Sequence, residues 1–437
     1  MESFLASLQV NVSARRETQT PRANPPRAAL QNGARFLYRN VAFLLVCALA
    51  CLFFYSPLLL IGLLFIPVIF FARWFALGSP FPHTRANVIV LVFLSAVLWS
   101  ILRAADVHGT VLTTARLLGG VAVMFVIADY ADHPGRLWNV AALLAASGVA
   151  IAFGAPFVTE PSPDKMFNFT FLFQPERFPF EESNPNMVAG TLAALLPLAT
   201  ALVLGEEKRL RVFGAVAVAP MLLMLFLLQA RGAWFAALGG ILLFLSLYKR
   251  ILIGLLPLAI LAIVLFSAFG EEIRALSPIP LLNVQVAPSL EGRRVVWDFA
   301  AREIVREPFG HGLDSFKSFA DNRASDILSE PQRQNAHNLF LQAGFETGLV
   351  GLGAFAALFA YALYASWHAV VRDVKRYLAI GVFAALCAAF ASDVLEANMW
   401  GNKAAFWLWA LFGMAVVFGR YGARRRRTLR GKSLESS

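Results

Sequence analysis

The apolar residues of this chain are gathered into long, nearly charge-free blocks rather than spread in alternation. A helix that crosses a hydrocarbon core about 30 Å thick needs about 20 such residues. On that rule twelve blocks predict spans, near 37 to 55, 57 to 77, 87 to 103, 111 to 128, 138 to 156, 187 to 204, 211 to 228, 232 to 248, 251 to 269, 338 to 366, 377 to 394 and 403 to 419. A transmembrane β-barrel would show shorter segments of alternating polarity, so the pattern predicts an all-α polytopic membrane protein with about 12 transmembrane helices. It divides the chain into a tail at 1–36, helices 1–9 within 37–269, a long loop at 270–337, helices 10–12 within 338–419 and a basic tail at 420–437.

Composition agrees with that reading. Of 437 residues 58% are apolar and 15% charged, and mean hydropathy is +0.64, whereas soluble domains sit near 45–50% apolar and about 25% charged. Lys and Arg outnumber Asp and Glu by 38 to 27, and their placement orients the spans. With the N-terminus inside, 24 of the 38 fall in inner segments; of the other 14, eight lie in one long loop, which counts little in the positive-inside rule. Both termini are therefore predicted to be cytoplasmic. The run Arg424 to Arg427 directly follows a span and reads as a stop signal attracted to anionic lipid rather than a nucleic-acid site. Cys47, Cys51 and Cys387 lie inside apolar blocks, giving neither a disulfide framework nor metal-ligand spacing, and read as packing residues. The first 34 residues lack the early apolar core of a signal peptide. No internal repeat is evident, which disfavours an inverted-repeat transporter.

Two outer connectors, 157–186 and 270–336, are long enough to carry function. The second contains EGRRVVWDFAAREIVRE, Glu291 to Glu307, which places Val296, Phe299, Ala300 and Ile304 on one helical face before Pro308 and Gly310 stop it. It ends in Gln334-Asn335-Ala336-His337-Asn338-Leu339. There Asn335 is the expected N-cap, putting His337 in the first turn, where the positive helix end favours the neutral, proton-accepting imidazole. Asn338, Gln342 and Glu346 follow at spacings of four as a polar stripe into the membrane, where polar groups face a cavity or each other.

Cations complete the candidate set. Gln229-Ala230-Arg231-Gly232 is a hairpin that holds Arg231 at the membrane edge near a helix N-terminus, an unfavourable place for a cation unless an anion joins it. Arg293 and Arg294 open the loop helix and could clamp the same anion, one of the two facing solvent. In the earlier loop Arg177 precedes Glu182-Ser183-Asn184-Pro185-Asn186, where Asn184 either caps the next helix or contacts sugar. Asp393 and Glu396 share one face at the end of span eleven and can pair with the outer arginines or Lys403, while Trp400, Trp407 and Trp409 read as an interfacial belt.

The order of Ser183-Asn184-Pro185-Asn186, Gln229-Ala230-Arg231-Gly232-Ala233-Trp234, Gly292-Arg293 with Trp297, Pro308-Phe309-Gly310-His311-Gly312 with Phe316, and His337-Asn338 with Glu346-Thr347-Gly348 resembles the O-antigen ligase and polymerase superfamily over roughly residues 180 to 360. That resemblance implies a membrane glycosyltransferase of the GT-C class, taking a glycan from undecaprenyl pyrophosphate on the periplasmic face of the bacterial inner membrane and joining it to lipid A-core. It implies that His337 matches the family's essential histidine and that Arg231 with Arg293 or Arg294 match arginines tied to the pyrophosphate. Catalytic candidates are then His337 and Arg231, and substrate-binding candidates Arg293, Arg294, Arg177, Asn184, Asn186, Asn338, Glu346 and Asp393. No metal or cofactor is expected, because the outer loops hold no D-x-D pair, and arginines would neutralise the leaving pyrophosphate. Membrane lipids are expected neighbours and nucleic acid is not. The alternatives are an O-antigen polymerase, which lengthens a lipid-linked glycan, and a secondary transporter, which would place its charges near the bilayer midplane.

Overall fold

The computed structural model describes residues 25–41, 44, 59–104, 106–131, 134–159, 172–173, 183–205, 207–249 and 287–435. All regular structure among them is helical. In chain order the helices are α1 (Pro25–Arg39), α2 (Leu59–Leu77), α3 (Asn87–Ile101), α4 (Val107–Tyr130), α5 (Pro134–Gly154), α6 (Pro185–Val203), α7 (Lys208–Leu228), α8 (Arg231–Tyr248), α9 (Ala287–Arg306), α10 (Phe316–Arg323), α11 (Leu339–Val371), α12 (Arg376–Asp393) and α13 (Ala405–Glu435). Seven of these are long and apolar enough to cross a membrane among the described residues, and Leu64–Leu77, Asn87–Ile101 and Ala405–Tyr421 are shorter apolar helices. The chain is thus a polytopic helical membrane protein. The predicted span at 251–269 and most of that at 37–55 lie outside the described residues.

The apolar blocks become helices because backbone polar groups in lipid must be satisfied within the segment. Pro67, Pro197 and Pro220 sit inside α2, α6 and α7, as neighbours in a membrane bundle allow. Where helices begin at the bundle's ends, short polar side chains take up the orphan N–H groups: Asp106 accepts from His108 N and Asn184 from Asn186 N. Helices α4, α6, α12 and the first half of α13 are buried along most of their length. Trp400 and Trp409, expected in an interfacial belt, are instead buried at 6% and 1% exposure, each packed on Phe93.

Outside the bundle a second apolar cluster joins Val296, Ala300 and Ile304 of α9 to Phe316 and Ala320 of α10 and to Phe345 of α11. Its anchor is a break in α11. Gly348 has φ 71°, ψ −174°, which ends one half-helix and starts another. The freed groups are taken up by the loop after α9: Leu349 N donates to Pro308 O, His311 N to Phe345 O and Gly312 N to Glu346 O, while Ser100 Oγ also donates to Glu346 O. The role of Gly348 is this break.

Candidate functional site

Four segments meet at the end of the bundle where α11 begins. The capping residue there is Asn338, not Asn335: its Oδ1 accepts from Phe340 N and Leu341 N at 3.0 and 3.1 Å. His337 therefore lies one residue before the cap, with φ 46°, and its N–H donates to Asn335 Oδ1 at 2.7 Å. This corrects the expectation of a histidine in the first turn. The choice between the two asparagines is made by tertiary contacts, since Asn338 Nδ2 donates to Val394 O at 3.0 Å and Gln342 Oε1 accepts from Ala336 N at 2.7 Å. Asn338 thereby ties the start of α11 to the end of α12.

That tie brings His337 onto Glu396, in the turn beyond α12. His337 Nδ1 lies 3.0 Å from Glu396 Oε2, and the other carboxylate oxygen, Oε1, accepts from Arg293 Nη2 and, at 3.3 Å, from Asn186 Nδ2. The side chains are only 20%, 12% and 23% exposed for His337, Glu396 and Arg293. Burial pushes the Glu396 carboxyl up, but the His337 hydrogen bond and the Arg293 charge outweigh it and hold the group below the usual glutamate range. The remaining histidine nitrogen, Nε2, is 3.2 Å from Pro331 O. Both ring nitrogens thus face acceptors, an arrangement that an imidazolium satisfies twice and a neutral ring once.

Supporting contacts fix the loop. Trp297 Nε1 donates to His337 O at 3.1 Å, and Gln332 Nε2 donates to Gly292 O at 3.2 Å, so α9 holds both the histidine and the 3-10 turn that carries Pro331. Arg231 is the first residue of α8, after a turn in which Gln229 adopts φ 52°. A Cβ at the adjoining Gly232 would touch Leu395 Cδ1 at 3.5 Å, which sets the hairpin against the segment that bears Glu396. Arg231 is near enough to Arg293 for the like charges to act on each other. With Arg293 on the Glu396 carboxylate and Arg231 close enough to feel Arg293, the two guanidiniums outnumber the carboxylate in this cluster, a balance suited to an anion.

The structure separates the other candidates. Arg294 is exposed, which makes Arg293 the member of the pair that faces the cluster. Asn184 is the cap of α6, and Asn186 of the next turn reaches Glu396 while its carbonyl accepts from Asn398 Nδ2 at 3.3 Å. Glu346 is 2% exposed and its carboxylate is occupied by Gln342 Nε2 at 2.7 Å and Trp400 Nε1 at 2.8 Å, so the polar stripe on α11 satisfies itself rather than facing a substrate. Asp393 is fully buried at the end of α12. Arg177 lies outside the described residues. His311 of the Pro-Phe-Gly-His-Gly segment packs between Phe319 and Phe345, at ring distances of 4.3 and 4.4 Å, and burial lowers its pKa. The expected pairing of Glu396 with an outer arginine is met by Arg293; what the sequence reading missed is its contact with His337 and the approach of the Pro331 carbonyl, neither of which carries a local sequence signal.

Residues 216–356 match the family model described as O-antigen ligase, which supports assigning the chain to the O-antigen ligase family. The match covers about a third of the chain and includes Arg231, Arg293 and His337 but ends short of Glu396. No curated protein matches the chain.

Proposed function

We propose that the chain is an O-antigen ligase, an inverting glycosyltransferase of GT-C type that moves a glycan from undecaprenyl pyrophosphate to lipid A-core at the periplasmic face of the bacterial inner membrane, both termini being cytoplasmic. The observation that carries this reading is the direct contact of His337, Glu396 and Arg293, with Arg231 on the neighbouring helix start.

The acceptor hydroxyl takes the place of the Pro331 carbonyl at His337 Nε2. Its oxygen attacks the anomeric carbon, the bond from that carbon to the pyrophosphate oxygen breaks, and the proton passes to Nε2. Glu396, holding Nδ1–H, balances the imidazolium so formed. Arg231 and Arg293 take the charge that develops on undecaprenyl pyrophosphate. The exposed Arg294 can meet its outer part, and Arg177 is proposed as a further substrate-binding residue. General base action contributes about 10² to 10⁴ in rate. A preorganised charge contact contributes about 10² to 10³. Asn186 holds Glu396, Asn184 and Asn338 cap their helices, and Glu346 and Asp393 act from within the buried core.

The test is lipopolysaccharide from cells that lack their own ligase. This chain should restore the glycan ladder on lipid A-core, and His337→Ala, inserted at the same level, should not. Glycan lengthening on the lipid carrier without transfer to core would replace the ligase reading with a polymerase. Full transfer by His337→Ala would remove the histidine from its role.

A further inference from the structure

We propose that the end of the bundle opposite His337 holds an anionic lipid headgroup, in a cleft between the last turns of α11, the middle of α13 and the loop before α3. Helix α11 itself separates the two ends. Its cap adjoins His337, and Tyr361, Tyr364, His368 and Arg372 follow 13 to 24 residues beyond the break at Gly348, roughly 20–36 Å along the second half-helix at a rise of 1.5 Å per residue. Helix α3 gives the same polarity: Arg103, just past its end, reaches Glu307 of the loop after α9 at 3.1 Å, whereas Arg85 lies just before its start, in the cleft.

The cleft is partly open to its surroundings. Arg85, His368 and Arg372 line it together with Tyr361 and Tyr364, and no acidic residue is among its lining residues. On α11 these positions fall at 361, 364, 368 and 372, one helical face. The Tyr364 and His368 rings stand 5.5 Å apart on that face, and Arg85 lines the cleft beside them. Gly419 lets Tyr361 approach α13 closely: a Cβ there would come within 2.5 Å of Tyr361 Oη.

A cationic, donor-rich cleft fits a phosphodiester. What selects a lipid over a free phosphate is the rim. Tyr364, Trp367 and Val371 of the same helix are exposed at spacings of three and four, an apolar stripe that runs from the cleft along the outside of α11 and offers acyl chains a surface that a soluble anion would not use. Basic pockets between transmembrane helices are the kind of site that binds acidic headgroups. This inference stands apart from glycosyl transfer, since none of these residues belongs to the His337 cluster.

The test is native mass spectrometry of the full-length protein, in detergent, titrated with dioleoyl phosphatidylglycerol. Wild type should retain this lipid in preference to dioleoyl phosphatidylcholine. The double variant Arg85→Gln with Arg372→Gln should bind it about 25-fold more weakly, about fivefold for each basic group removed. Lys at both positions should restore most of the affinity, and transfer activity should be unchanged throughout. Arg85→Gln alone, which alters an exposed side chain, should weaken binding about fivefold and serves if the double variant does not fold. Equal retention by wild type and variants, equal binding of the two lipids, or displacement of the lipid by millimolar inorganic phosphate would each overturn the proposal.

Discussion

Replacing Glu396 by Gln keeps the shape of the cluster and removes the carboxylate in contact with His337. The amide can still accept from His337 Nδ1, but it cannot neutralise an imidazolium or the Arg293 guanidinium. A hydrogen bond to a charged group is worth about 1.5–3 kcal/mol. If the reaction uses only the contact with His337, the rate falls about ten- to 150-fold; if it also uses Arg293 as Glu396 holds it, the loss reaches about 10³ or more. The loss should appear in kcat, because the charge on the ring is created during transfer, and KM should change little. Glu396→Asp, charged but one methylene short, should recover part of it. The assay is single-turnover transfer from a lipid-pyrophosphate glycan to lipid A-core by purified protein. The same pair gives a pH signature. The folded carboxyl titrates below the ordinary glutamate range, so its stabilisation is fully present above about pH 4.3 and is lost as pH falls through the lower folded value. The difference in Tm between wild type and Glu396→Gln should therefore hold near neutral pH and close in stronger acid. Transfer by a folded Glu396→Gln within twofold of wild type would refute the reasoning.

Two further expectations concern the anion. Arg231→Gln should lower single-turnover transfer about 10²- to 10³-fold, with Arg231→Lys recovering only part because the planar fork is lost; near-normal turnover by the glutamine variant would take Arg231 out of the site. Transfer should also survive exhaustive chelation, since guanidiniums carry the neutralisation, and a strong loss restored by Mg²⁺ would show that it depends on a metal.

What the chain reveals of itself on reading depends on distance along it. Cap and hairpin signals are local, so Asn184 at the start of α6 and Arg231 at the start of α8 lie where their neighbours place them. At the start of α11 two asparagines fit the local rule equally well, and only the contact of Asn338 with Val394, 56 residues away, decides between them. The union of His337 with Glu396 spans 59 residues and leaves no periodic trace. Trp400 misleads for a related reason: hydropathy favours an indole at the interface, but a buried Glu346 requires a donor, and the indole N–H supplies it from inside the core.

The break at Gly348 is where the loop and the bundle become one structure, and it can be tested without reference to activity. Its φ of 71° with ψ near −174° is a region that only glycine adopts readily, at a cost of about 1–3 kcal/mol for other residues. Space forbids a side chain as well: a Cβ would meet Pro308 O at 2.4 Å, Phe309 C at 2.6 Å and Gly310 N at 2.8 Å, all backbone atoms of the segment that satisfies the broken helix. Gly348→Ala must therefore push that segment away, exposing the carbonyls of Phe345 and Glu346 that His311 N and Gly312 N now cover, and each buried group left unsatisfied costs about 1–3 kcal/mol more. Gly353, five residues further along the same helix, is the control. A Cβ there meets nothing within 4 Å, and alanine in a helix interior is favoured over glycine by about 0.5–1 kcal/mol. Thermal unfolding in micelles should show a large loss of Tm for Gly348→Ala and none for Gly353→Ala. Equal Tm values for the two would mean that the loop does not hold the broken helix, and that the cluster around His337 owes its geometry to something other than this joint.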